Sequence, residues 1–192
     1  MKPLVVCLVA AALSSAPASA QIEIAYDDGS AENGIVWNEP GNGVAVRFTI
    51  GPDSTLVGAR FYVEFAPFQN SLGICVLDAN GPGGAPGDTL CGYFRRPLGI
   101  WAGWKDVTFQ SPVIAPDGEA YIVYLQTGGG NGDSNQMGID TSSHPDNRSW
   151  VYEGGVWSQM PPSQGDVMIR AIVTAQTPVL TSTWGALKAD YR

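Results

Sequence analysis

Two segments in the first third of the chain alternate apolar and polar residues with a period of two. Over 43–50, Val44, Val46, Phe48 and Ile50 fall on one side and Ala45, Arg47 and Thr49 on the other. Over 56–65 the same rule puts Val57, Ala59, Phe61, Val63 and Phe65 on one face, opposite Arg60, Tyr62 and Glu64. Successive side chains of a strand point to opposite faces, so these runs predict half-buried antiparallel strands, one face on a core and one in water. Shorter runs predict further strands at 22–26, 72–78, 89–94, 105–109, 120–127, 136–140, 150–153, 156–159 and 167–174.

The runs are punctuated by Gly51-Pro52-Asp53, Ala115-Pro116-Asp117-Gly118 and Gly128-Gly129-Gly130-Asn131-Gly132-Asp133. These residues pre-set turn dihedrals or tolerate positive φ. About ten short strands with frequent turn signals, and no helical crossover long enough to join parallel strands, predict an all-β, two-sheet antiparallel β-sandwich. A jelly-roll-like topology fits better than an immunoglobulin one, because Cys75 and Cys91 stand sixteen positions apart inside one hairpin rather than at inter-sheet spacing. No internal repeat is visible.

The two ends of the chain read differently from its body. Lys2, the apolar run Leu-Val-Val-Cys-Leu-Val-Ala-Ala-Ala-Leu over 4–13 and the small residues Ala18-Ser19-Ala20 predict a secretory signal over 1–20, cleaved before Gln21. That run is too short to span a bilayer, which takes about 20 apolar residues. Residues 21–175 are the expected β-sandwich, 176–182 a linker, and 183–192 a tail that can form a short amphipathic helix with Trp184, Leu187 and Tyr191 on one face. So short a helix needs a partner surface: this domain, or an export or attachment machine.

Charge narrows the range of partners. Ten Lys and Arg against eighteen Asp and Glu give a net charge of −8, and loss of Lys2 with the signal makes it −9. A field of that sign repels phosphate backbones and anionic membrane faces, so nucleic acid is not an expected partner. Cys7 leaves with the signal, and Cys75 and Cys91 remain. In an oxidising compartment they predict one disulfide, with symmetric pairing of 72–78 and 88–94 setting Cys75 opposite Cys91; a bridge there adds roughly 3 kcal/mol. Two free buried thiols are the alternative.

Candidate chemistry is sparse. His144, in Ser142-Ser143-His144-Pro145-Asp146, has no Gly-x-Ser-x-Gly elbow to serve, and no catalytic residue is assigned. A hydrolase of unrecognised type, built on carboxylates that the sheets bring together, stays open as an alternative. Gly154-Gly155 is a two-residue hairpin loop, which predicts Glu153 opposite Val156 and Tyr152 opposite Trp157. Trp150, Tyr152 and Trp157 then share one side, with Val151, Glu153, Val156 and Ser158 on the other. The three rings either complete the core or form a flat platform for sugar rings or a protein partner. Trp104 shares its face with Asp106 and Thr108, and is either a contact residue or covered by a loop. No cofactor is called for except a structural Ca²⁺. Its candidate ligands are Asp27, Asp28 and Glu32, then Asp78, Asn80 and Asp88, then Asn131 and Asp133, against a plain reading of all of them as solvated turns.

The ending Ser182-Thr183-Trp184-Gly185-Ala186-Leu187-Lys188-Ala189-Asp190-Tyr191-Arg192 resembles the Trp-Gly-x-aliphatic-Lys-x-x-aromatic-Arg sorting tails of secreted bacterial proteins. It differs from type IX sorting domains, which are whole β-domains. The body, from Tyr26-Asp27-Asp28-Gly29 through Gly103-Trp104 to Met168-Ile169-Arg170-Ala171, is similar to adhesin-type jelly-roll modules of extracellular bacterial proteins. The signal, the patterned strands, the aromatic hairpin and the lack of a catalytic set predict a secreted or cell-surface, non-catalytic binding or adhesion module. Its partners would be an extracellular glycan or protein and, through the tail, a sorting machinery. A structural or assembly subunit of an extracellular surface is the second reading.

Overall fold

Thirteen strands are found among the described residues. They are β1 (Gln21–Ile24), β2 (Asn33–Ile35), β3 (Gly43–Thr49), β4 (Ser54–Phe65), β5 (Ser71–Asp78), β6 (Thr89–Pro97) and β7 (Gly103–Val113). There follow β8 (Glu119–Leu125), β9 (Gln136–Asp140), β10 (Ser149–Glu153), β11 (Val156–Gln159), β12 (Asp166–Val167) and β13 (Ile169–Ala175). The computed structural model describes residues 20–66, 71–97, 99, 101–129, 135–142 and 146–175. The signal (Ala20 apart), the linker beyond 175, the 183–192 tail, Asn131, Asp133 and His144 lie outside the described residues.

One sheet runs β1-β13-β4-β9-β12, with β2 added on β9 and β7 on β4. The other runs β11-β10-β3-β8-β5-β6. Every pairing among the described residues is antiparallel. Helical geometry among the described residues is confined to single 3₁₀ turns at Pro82–Gly84 and Pro162–Gln164. This is the two-sheet antiparallel sandwich that the alternation predicts.

The sheets meet over Val44, Val46 and Phe48 of β3, Phe61 and Val63 of β4, Leu72, Ile74 and Val76 of β5, Ile122 and Tyr124 of β8, and Ile169 and Ala171 of β13, all 1% exposed or less. Burying a side chain of Val, Ile or Phe size stabilises a fold by about 1.5–3 kcal/mol, so this layer dominates the stability.

Two positions of β4 depart from strict alternation. Leu56, Ala59, Phe61 and Val63 face the core, whereas Val57 is only half-buried and Phe65 is 48% exposed. Opposite β13 the register jumps from Ile172 against Gly58 to Val173 against Leu56, and opposite β7 it also skips between Leu56 and Gly58. Val57 is thus an extra, unopposed residue, and a bulge of that kind flips the phase. A second skip between Val63 and Phe65, against β9, turns Phe65 outward in the same way.

The expected Cys75–Cys91 pairing is corrected by β6. Cys91 lies opposite Val76, with register shifts on both sides of that pair, and both cysteines are free thiols. Cys75 packs in a small cluster with Ala45, Tyr121 and Val123, while Cys91 packs against the inter-sheet core. Symmetric pairing fails because β6 carries extra residues that alternation alone does not reveal. The run expected over 167–174 also divides, β12 pairing with β9 and β13 with β1 and β4. β2, three residues long, is too short to leave a periodic signal.

Candidate functional site

The hairpin of β10 and β11 has the predicted register, Tyr152 opposite Trp157 and Glu153 opposite Val156. Val151 packs on the inter-sheet core, so Trp150, Tyr152 and Trp157 lie on the outer face of the six-stranded sheet. Across that face one row reads Trp157, Tyr152, Gly43, Leu125, Gly73 and Arg95. The glycines make room: a Cβ on Gly43 would meet the Leu125 side chain at 2.8 Å, and one on Gly73 would meet the Tyr93 ring at 2.8 Å. Leu125 and Tyr93 therefore lie down over the sheet and continue the apolar strip begun by Trp157 and Tyr152. The Tyr152 and Trp157 rings are 4.9 Å apart at 45°, and Tyr93, whose hydroxyl accepts from Arg95 Nε at 3.0 Å, is 51% exposed.

The neighbouring row, Trp150-Ala45-Val123-Cys75, is sealed. Ala45, Tyr121 and Val123 are fully buried beneath Trp150, Trp157, Leu77 and Leu125, and Trp150 meets Tyr121 edge-on at 6.0 Å. The Tyr121 hydroxyl donates to the Gly84 carbonyl, which ties the 79–88 loop to the same face. Trp150 thus packs on this outer cluster rather than in the inter-sheet core. Tyr152, Trp157 and Tyr93 form the accessible part of the strip.

Trp104 lies on the outer face of the seven-stranded sheet, half-buried within a charged network. Arg170 stacks on its ring at 4.2 Å and Arg60 at 5.5 Å, and Tyr62 meets it edge-on at 5.3 Å. Glu23 accepts from Arg60 at 2.8 Å and Arg170 at 2.7 Å, and Asp106 accepts from Arg60 at 2.7 Å. Burial pushes the Glu23 carboxyl up, but the bonds from Arg60 and Arg170 outweigh it and leave the group below its ordinary value. A hollow of 330 Å³ beside this network contains Glu23 and Asp106, both tied to Arg60.

The calcium candidates divide into three groups. Asp27 receives Arg170 Nε on both carboxylate oxygens at 3.1 Å. Asp78, Asn80 and Asp88 close their own loop: Asp88 N donates to Asn80 Oδ1, Asn80 Nδ2 to Asp88 Oδ2, and Ala79 N to Asp78 Oδ1. Asp28 belongs to a separate cluster with Glu32 and Asp140, whose carboxylate oxygens lie within 4.8 Å of one another. Asp140 is fully buried at the end of β9, and Asp166 faces it across the β9–β12 ladder at 3% exposure. Burial and the adjacent Asp146 carboxylate raise the Asp166 pKa to about 7.

Of these groups, Asp140, Asp166, Tyr93 and Leu125 were not selected from sequence. An aspartate closing Gln-Met-Gly-Ile-Asp and another opening Asp-Val-Met-Ile-Arg are ordinary strand-end residues until topology sets them side by side. Gly43 and Gly73 were the available signal for the strip, since a glycine inside a strand marks a close approach.

The fold defines an all-β, two-sheet antiparallel β-sandwich. No family model matches the chain. Bacillopeptidase F of Bacillus subtilis (strain 168) is 35% identical over 169 residues, which take in 83% of this chain and 12% of that protein. The chain therefore spans a small part of the length of the curated relative it matches. Among solved structures, a clostridial cysteine protease Cwp84 after propeptide cleavage has a TM-score of 0.65 at 15% identity, over 84% of this chain and 42% of that one. A second, of the cysteine protease and lectin-like domains of Cwp84, a surface layer associated protein of Clostridium difficile, has a TM-score of 0.51 at 15% identity, over 71% and 33%. At that identity the likeness concerns the fold.

Proposed function

We propose that residues 21–175 are a non-catalytic binding module of a secreted or cell-surface protein, and that the strip of Tyr93, Leu125, Tyr152 and Trp157 takes a carbohydrate chain. The observation that carries the reading is the row itself. Two aromatic walls flank a Leu125 floor that Gly43 and Gly73 keep low, with the guanidinium of Arg95 at one end. Flat rings offer large apolar faces to the C–H face of a sugar, while a nearby polar group fixes its hydroxyls. The same reading is consistent with the likeness in fold to a chain described as carrying cysteine protease and lectin-like domains. That the match takes in only 12% of Bacillopeptidase F is consistent with an accessory role.

The residues of the 330 Å³ hollow favour binding over hydrolysis. Glu23 and Asp106 are held as ion pairs by Arg60, whereas a glycosidase needs one of two facing carboxyls protonated. Export through the signal and attachment through the 183–192 tail belong to the same proposal. Deletion of the tail is expected to release the protein into the medium, and retention at the cell surface would count against it.

Binding is tested with a glycan array and a matrix-protein panel, using the wild type, Trp157→Ala and Tyr152→Ala. Both variants are expected to stay folded and to lose at least about tenfold in affinity, since a stacked ring contributes roughly 1–3 kcal/mol. Binding to matrix proteins alone would replace the sugar with a protein ligand. Binding unchanged in both variants would remove the strip as the site.

A further inference from the structure

The strip on the outer face of the six-stranded sheet ends in a cation. Arg95 of β6 lies opposite Gly73, which on its other side faces Leu125, and the row continues through Gly43 and Tyr152 to Trp157. Adjacent strands lie about 4.8 Å apart, so Arg95 stands about 19 Å from Tyr152 and about 24 Å from Trp157 along the row. That is the length of a short oligosaccharide, not of a single sugar ring.

Arg95 differs in its partners from most cations of the chain. Arg47 is paired with Glu119, Arg60 with Glu23 and Asp106, Arg148 with Asp146, and Arg170 with Glu23 and Asp27. Arg95, Arg96 and Lys105 have no ion pair among the described residues, although acidic residues outnumber basic ones eighteen to ten. Of these three, only Arg95 belongs to the strip. Arg96 lies opposite Leu72, which is fully buried between the sheets, so its side chain leaves β6 on the other face. Lys105 belongs to β7 of the other sheet.

The Arg95 guanidinium is held in place while its fork stays open. Nε donates to the Tyr93 hydroxyl at 3.0 Å, beside a half-exposed ring, which uses one of the five N–H donors of the group. Nη1 and Nη2 have no acceptor among the described residues. The row itself carries no carboxylate. On this face of β8 the acidic residue is Glu119, at the far end of the strand from Leu125, about 20 Å away, and it is tied to Arg47. Glu153 follows Tyr152 on β10 but alternates to the opposite face. An open planar fork beside apolar rings fits a carboxylate, which accepts two parallel N–H bonds from it. The net charge of −8 repels a polymer that carries an acid on every unit, so the fit is to a chain in which carboxylated and neutral sugars are mixed.

We propose that the strip takes an acidic oligosaccharide, with a carboxylated sugar on Arg95 and neutral sugars reaching across Leu125 to the rings of Tyr152 and Trp157. This rests on the binding reading given above and names the class of sugar. Arg95 is the specificity-determining residue, and the rings supply affinity that neutral and acidic chains share. The two ends of the row differ, one charged and one aromatic, so a chain with its acid toward one end binds in a single direction.

The test is calorimetric titration of the mature protein with a hyaluronan hexasaccharide and a glucuronoxylan hexasaccharide, each beside its carboxyl-reduced counterpart, and with a heparin hexasaccharide as the sulfated comparator. At low salt at least one carboxylated probe is expected to bind at least about tenfold more tightly than its reduced counterpart and than heparin, and the preference is expected to shrink as salt is raised. Arg95→Gln is expected to abolish the preference and leave the affinity for the reduced probe unchanged, whereas Arg96→Gln keeps the preference. Trp157→Ala is expected to weaken the acidic and reduced probes alike. Arg95 and Arg96 are both exposed, so each arginine variant is expected to melt as the wild type does. Equal affinity for acidic and reduced probes would overturn the proposal and leave the strip as a site for neutral sugars. A preference that survives Arg95→Gln, or that Arg96→Gln removes as well, would also overturn it, as would tighter binding of heparin than of either carboxylated probe. No binding of any probe, acidic or reduced, would overturn it together with the binding reading beneath it.

Discussion

At the scale of single residues, Cys75 and Cys91 give the sharpest expectation. Burial pushes the Cys75 thiol up to about 12 and raises Cys91 less far, because Cys91 is only half-buried. The thiolate is the reactive form, so at pH 8 only about one Cys75 in ten thousand is ready to react. Native mature protein treated with iodoacetamide at pH 8 is therefore expected to gain its first adduct at Cys91 and its second, at Cys75, only on unfolding. Peptide mapping checks the order. A mass short of two hydrogens with no adduct at either site would mean that a disulfide forms after all. The residue scale also explains why Trp150 and Trp157 are not equivalent. Both pack on the outer cluster, but Trp150 meets buried Tyr121 whereas Trp157 meets Tyr152 at a tilt at the sheet edge.

At the scale of elements, the charged network on the seven-stranded sheet joins β1, β4, β7 and β13 through Glu23, Arg60, Asp106 and Arg170. Glu23 titrates below its ordinary value in the folded protein. Its contribution to stability is therefore present above about pH 4.5 and is lost as pH falls through the lower folded value. The side chain is 31% exposed, so screening limits that contribution to about 0.5–1 kcal/mol. Glu23→Gln is expected to lower the melting temperature by roughly 1–3 °C at pH 7 and low salt, and by progressively less as the pH is taken down below the ordinary carboxylate range. A deficit of constant size as the pH falls would assign the effect to packing instead. Most elements were legible in the sequence because a period of two is visible wherever one face is buried and the other wet, as in β3. The hairpin register followed from Gly154-Gly155 alone. Bulges carry no such signal, so the phase of Val57, the outward turn of Phe65 and the partner of Cys91 emerged only from strand pairing. The strip was half legible. Trp150, Tyr152 and Trp157 lie close in sequence, whereas Tyr93 and Leu125 join them through β6 and β8, which no local pattern relates.

At the scale of the molecule, the two sheets have different outer faces. The seven-stranded sheet presents paired charges around Trp104 and the carboxylate cluster beneath the 27–32 segment. The six-stranded sheet presents an apolar strip over a second small core. Binding is proposed for the second. The most direct test of the central claim is ¹H–¹⁵N correlation spectroscopy of the labelled 21–175 domain, titrated with a glycan that scores on the array. The account predicts shift changes concentrated at Gly43, Gly73, Tyr93, Leu125, Tyr152 and Trp157, with the Trp104 network unmoved. Changes centred on Trp104 and Arg170, or absent from the six-stranded sheet, would contradict it.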